Sequence, residues 1–189
     1  MRDIEPQVIQ VTKINAVLRQ LETAITLWFN NGDPISIHTL ASAAYQILYD
    51  LNKHQKGPAM MPDSDLINPT MKDEWRRALR AWPNFLKHAN KDPYKTIKFN
   101  PDINLFILFD AVMSYNAITK NKLPPILHTL FIWVFVHHPL GFQTEIADNL
   151  RKICPVDKLI KFNRARFFQY VNQIILSGVI DHNNSLSIQ

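Results

Sequence analysis

Apolar residues along this chain recur at intervals of three and four, the spacing that puts them on one side of an α-helix. Ile14, Val17, Leu18, Leu21, Ile25 and Trp28 form one such stripe and predict a first helix over about residues 8–30. Ile37, Leu40, Ala41, Ala44, Ile47, Leu48 and Leu51 predict a second over about 34–54, where the small residues of "LASAAY" admit a close neighbour. Trp75, Leu79, Trp82 and Leu86 predict a third over about 71–90. The fourth, about 101–119, reads "INLFILFDAVMSY" and is apolar nearly all round, which places it at the centre of a bundle. A fifth, about 124–138, carries the run "LFIWVFV". After Gly141 come a short helix, "QTEIADNLRKI", and a longer one at about 156–177. Val179, Ile180, Leu186 and Ile188 then alternate around "HNNS", the pattern of a small hairpin. The expected fold is all-α: a helical bundle over residues 1–140 and a helical extension over 141–189, with at most one terminal hairpin.

Breakers agree with these limits. Gly32, Gly57, Gly141 and Gly178 each follow a periodic segment, where a left-handed C-terminal cap is expected. Asp33-Pro34 and Asn100-Pro101 each set a capping side chain before a proline suited to the first helical position. Between the second and third helices, "QKGPAMMPDSDLINPT" reads as a long proline-rich loop.

One domain, or a domain with a small appendage, suits 189 residues, and 47% apolar with 20% charged residues excludes disorder as the default. A net charge of +5 favours acidic partners, nucleic acid above all. The single cysteine, Cys154, excludes an internal disulfide and a multi-cysteine zinc site, and fits a reducing, cytoplasmic setting. "MRDIEPQVIQ" lacks the apolar core of a secretion signal, and "LFIWVFV" is far short of the roughly 20 residues of a membrane span. No glycine-rich phosphate loop, nucleophile elbow or paired-cysteine motif is present, so no cofactor is expected. Nor is a metal: Asp50 and His54 lack a third ligand, and His137 and His138 point about 100° apart on a helix.

Candidate chemistry concentrates in "RAWPNFLKHANKDP", residues 80–93. Arg77, Arg80, Asn84, Lys87 and His88 share one face of the third helix, opposite the tryptophans and leucines. Arg77, Arg80 and Lys87 are the phosphate-binding candidates, and His88 is the group that titrates near neutrality. Pro83 predicts a kink or a restart, and a restart would free the amides of Asn84 and Phe85 for an anion. The plainer alternative is a solvated cationic face on which Asp92 accepts from Lys87 or His88 and ends the helix. Asp110, inside the apolar fourth helix, needs a partner and is expected in a structural ion pair with a cation of this stripe.

"LASAAYQILYDL" followed by a helix carrying "NFLKHANKDP" resembles a group of uncharacterised bacterial helical proteins and, more remotely, the HEPN superfamily of helical RNA- and nucleotide-associated domains, which are often dimeric. Ribonucleases of that superfamily carry an arginine, a polar residue, a few residues and then a histidine. Asn84 and His88 take the polar and histidine positions with three residues between them, while the arginine position falls on Pro83. Arg80 lies one turn earlier, outside the motif's spacing. The resemblance, over about residues 8–138, implies a helical bundle, with Asn84 and His88 as the catalytic pair if the chain cleaves phosphodiesters.

The leading expectation is a binding module for nucleic acid or nucleotide, with a degenerate ribonuclease as one form of it. Self-association is expected, since "LFIWVFVHH" cannot bury every face in so small a bundle, and an alternative function is a homodimeric interaction protein without ligand that pairs through aromatic-rich surfaces. Another is a DNA-binding regulator in which residues 143–189 follow the order of a winged helix-turn-helix. Lys158, Lys161, Arg164 and Arg166 would then meet phosphates. Against it, "CPVDK" has no turn glycine, and Phe162, Phe167, Phe168 and Tyr170 suit a packing helix.

Overall fold

A computed structural model describes residues 8–60, 63, 79–90, 92–138 and 155–178. Its helices run over Lys13–Phe29 (α1), Pro34–Gln55 (α2), 79–87 (α3), Ile103–Thr119 (α4), Pro125–His137 (α5), Val156–Leu159 (α6) and Arg164–Leu176 (α7). No strand occurs among the described residues, and the all-α class holds. The short helix expected at 143–153, the terminal hairpin, Gly141, Trp75 and Arg77 lie outside the described residues.

Capping side chains decide where several helices begin. Thr12, not the chain near residue 8, starts α1: its hydroxyl accepts from the Asn15 amide at 3.2 Å. The preceding Val8, Ile9 and Val11 are exposed, with Val8 at 90%. Being β-branched, they gain little from helix, and none of them reaches the core. Asp33 caps α2 as expected, accepting from Ser36 N at 2.7 Å ahead of Pro34. Asn100 instead closes a turn, accepting from Asp102 N at 3.0 Å, and α4 begins after Asp102.

The long helix expected at 156–177 is two helices. Asn163 adopts extended backbone and accepts from Arg166 N at 2.9 Å, a cap that starts α7, while α6 has already ended at Leu159. A side chain that competes for backbone amides outweighed an apolar period that reads through it.

The caps at the ends of α1 and α2 also correct the reading of the glycines. Asn31 (φ 53°) and Lys56 (φ 52°) occupy the left-handed positions, and each glycine comes one residue later. Gly32 N donates to Leu27 O at 2.8 Å and Gly57 N to Asn52 O at 3.0 Å, the six-residue closure of a Schellman turn. A Cβ on Gly57 would lie 1.9 Å from Asn52 Oδ1, so close approach selects glycine there. Gly178 alone of the described glycines is itself left-handed, at φ 74°.

The core is organised around α1, which packs on α2, α4, α5 and α7. Among the described helices α4 lies mainly against α2, touches α1 and α5 as well, and leaves Phe106 half exposed. An apolar circumference permits burial without choosing the neighbour. Phe29 of α1 stacks on Phe167 and Phe168 of α7, and Trp133 of α5 meets Trp28, Phe29 and Phe167 edge-on. Phe167, Val171 and Ile175 thereby join the same core as the first five helices.

The α5 run is interior as well. Leu130, Phe131, Ile132, Val134, Phe135 and Val136 are all buried within the chain, which removes the reason for expecting this helix to drive self-association. No helix among the described residues is long and apolar enough to cross a membrane.

Candidate functional site

Three helices enclose an open cavity of about 260 Å³. From α2 come Ser42, Tyr45, Gln46 and Tyr49, which recur at helical spacing on one face. From α3 come Leu79, Arg80, Pro83, Asn84 and Lys87, with His88 just beyond the helix, and from α4 comes Ile107. The sequence-predicted group Arg80, Asn84, Lys87 and His88 is thus gathered at one cavity, and all four residues are exposed. Arg77, the fifth member, lies outside the described residues.

Helix α3 continues through Pro83 without a restart, so the expected free amides at Asn84 and Phe85 do not arise. Its geometry still serves the site, because residues 80, 84 and 87 rise along one edge. His88 keeps its amide bonded to Asn84 O at 3.1 Å while its side chain leaves the helix end. A second cavity, of about 600 Å³, opens on the other side of α3 beneath Trp82 and Phe85 and shares Asn84 and His88 with the first. Asp92 pairs there with Lys95 at 3.6 Å rather than with Lys87 or His88, so the expected cap on the helix is not made.

Asp110 is half-buried and accepts from the Tyr45 hydroxyl at 2.8 Å. Burial of the phenol, then the negative charge of Asp110 and the hydrogen bond to it, hold Tyr45 protonated far above the ordinary tyrosine range. Among the described residues no ion pair joins Asp110 to Arg80, Lys87 or His88. Tyr45 is a partner of Asp110 that sequence reasoning did not supply. "LASAAYQILYDL" contained the signal, a stripe of Ser42, Tyr45 and Tyr49, but its alanines drew attention to packing.

A buried polar contact sets the position of α3 against α2 and α4. Asn104 Nδ2 donates to Pro34 O at 3.0 Å, which turns its Oδ1 toward His38 Nδ1 at 2.9 Å and makes that nitrogen the proton carrier. The His38 ring meets Trp82 and Phe99 edge-on, and Trp82 Nε1 donates to Lys98 O at 3.2 Å. His38 is fully buried, and burial lowers its pKa against the opposing effect of the Asn104 bond. A neutral imidazole therefore lies behind the helix that carries the cations.

The remaining candidates resolve away from this site. Asp50 accepts from Gln46 Nε2 at 3.0 Å, and no metal-ligand cluster occurs among the described residues. His137 stacks on Trp133 at 3.7 Å and bonds its carbonyl through Nδ1 at 3.0 Å. Three of the four C-terminal cations lie over the chain's own rings: Lys158 on Tyr170, Arg164 on Trp28 and Arg166 on Phe162. The stretches 143–154 and 179–189 needed for a winged helix lie outside the described residues.

Comparison of the chain with protein-family models, with curated proteins and with solved structures gives no match.

Proposed function

We propose that this protein is a binding module for a phosphate-bearing ligand, a nucleotide or nucleic acid, that it engages along the edge formed by Arg80, Asn84, Lys87 and His88. One observation carries the reading: these four exposed side chains stand together at the mouth of a concave cavity floored by tyrosines. Arg80 and Lys87 supply charge-assisted donors for phosphate oxygens, Asn84 an amide donor, and His88 an imidazole. The same two residues, Asn84 and His88, carry the remote HEPN-like resemblance. If phosphodiester cleavage accompanies binding, they are the residues that perform it.

The test is binding to single-stranded RNA and to nucleotides across a salt series. We expect affinity to fall steeply as salt rises, because each neutralised phosphate releases counterions. Arg80→Glu with Lys87→Glu should weaken binding by at least about tenfold and flatten the salt slope while leaving helix content unchanged. Absence of binding at low ionic strength, or binding indifferent to salt, would remove the proposal.

A further inference from the structure

Helix α3 has a cavity on each side, and its periodicity decides which residues reach which. At about 100° per residue, Arg80, Pro83 and Lys87 fall on one flank and Ala81, Trp82 and Phe85 on the other. Asn84 falls on the crest between them. His88, whose amide bonds to Asn84 O at 3.1 Å, follows it there one turn later. Among the described residues, the two cavities share these two and no others.

Charge divides the flanks. The first cavity carries Arg80 and Lys87, neither of which is held in an ion pair among the described residues. In the second, Asp92 and Lys95 pair at 3.6 Å and offset each other. What the second cavity offers instead is ring surface. Trp82 and Phe85 line it and are each half-buried, and the Nε1 bond to Lys98 O fixes Trp82 in place. Ile97 adds apolar surface, and the exposed Asn90 amide can both donate and accept. An open cavity of about 600 Å³ with aromatic walls and balanced charge suits an uncharged planar group, which stacks through its π-face.

The shared crest says how such a group is joined to a phosphate. A phosphate held by Arg80, Lys87 and the crest has a cavity on either side of it. A terminal phosphate carries one substituent, whereas an internal phosphodiester carries two. We infer that the second cavity is a nucleobase subsite for a single-stranded nucleic acid, which lays an internal phosphodiester over Asn84 and His88 and stacks a base on Trp82 and Phe85. The inference rests on the phosphate reading of the first cavity and extends it from one phosphate to a dinucleotide step.

Three probes of equal charge test it on the full chain at low salt: ribose 5-(methyl phosphate), adenosine 5′-(methyl phosphate) and adenylyl-(3′→5′)-adenosine. They carry the same diester with no base, one base and two. The one-base probe should bind about tenfold or more tighter than the baseless one, and the two-base probe tighter again by about threefold or more. Phe85→Leu keeps apolar bulk without a π-face. It should remove most of the first margin and leave the baseless probe unchanged. Phe85→Ala should do the same. A one-base probe no tighter than the baseless one overturns the subsite and leaves the phosphate edge standing. So does a margin that survives both substitutions, or a loss shared equally by all three probes in Phe85→Leu, which makes Phe85 a packing residue. A two-base probe no tighter than the one-base probe overturns the internal phosphodiester. If the margins appear but Arg80→Glu with Lys87→Glu leaves every affinity unchanged, the base subsite stands and the phosphate edge falls. No binding by any probe overturns both.

Discussion

Replacing Tyr45 by phenylalanine isolates one hydrogen bond beside the site while keeping the ring that floors the cavity. The deleted hydroxyl donates to Asp110 at 2.8 Å, and the carboxylate stays behind, half-buried, with one donor fewer. A hydrogen bond to a charged acceptor contributes ~1.5–3 kcal/mol, and partial exposure of this carboxylate places the loss near the low end, about 1–2 kcal/mol. For a chain of 189 residues each kcal/mol moves the melting temperature by about 2–4 °C, so a drop of about 2–8 °C is expected near pH 7. A double-mutant cycle with Asp110→Asn should return a coupling energy of about 1 kcal/mol.

The same variant has a pH signature. Tyr45 has a folded pKa raised above the ordinary tyrosine value of 10.0. Its contribution is therefore fully present below pH 10 and is lost as pH climbs beyond, where the unfolded phenol ionises and the folded one does not. The loss runs at about 1.4 kcal/mol per pH unit for each such group. Tyr115, whose pKa burial also raises, adds to the wild-type slope. Denaturant melts between pH 9 and 11.5 should show a shallower alkaline decline in Tyr45→Phe than in wild type. A variant as stable as wild type at neutral pH, or with an unchanged alkaline slope, would refute a stabilising role for the Tyr45–Asp110 hydrogen bond.

Three further outcomes follow from particular contacts. His38, buried and neutral, binds a proton in the unfolded chain before it does in the folded one, so stability is present above about pH 6.5 and declines as pH falls below it; His38→Gln should reduce the acid slope of urea melts, leaving the part due to His137, whose pKa burial also lowers. Gly57→Ala drives a Cβ to within 1.9 Å of Asn52 Oδ1 and disturbs the Asn52–Pro58 bond of 2.7 Å; a loss of about 1–3 kcal/mol is expected, checked by chemical denaturation. Asn163→Ala removes the N-cap of α7 and should cost about 1 kcal/mol, with faster amide exchange at Arg166 as the local readout.

Periodicity alone determined the helices, because a 3.6-residue repeat is written in the linear order of apolar side chains. Val17, Leu21, Ile25 and Trp28 are buried on α1 as their spacing requires, and Asp33 caps α2 as its place before proline requires. The cationic edge was legible for the same reason: Arg80, Asn84 and Lys87 share a helix face whatever that helix packs against. Where local chemistry competes, the repeat misleads, as at Asn163 and in the left-handed Asn31 and Lys56. What lies opposite the edge was not legible. His38 meets Asn104 across 66 residues of chain and Tyr45 meets Asp110 across 65. Such pairs are made by the rotation and offset of one helix on another, which depend on how all the buried side chains interlock at once. A stripe says that a face is buried. Only the packed structure decides that α1 is central, that the α5 run is covered within the chain, and that Ser42 and the two tyrosines stand across a cavity from three cationic and titratable side chains.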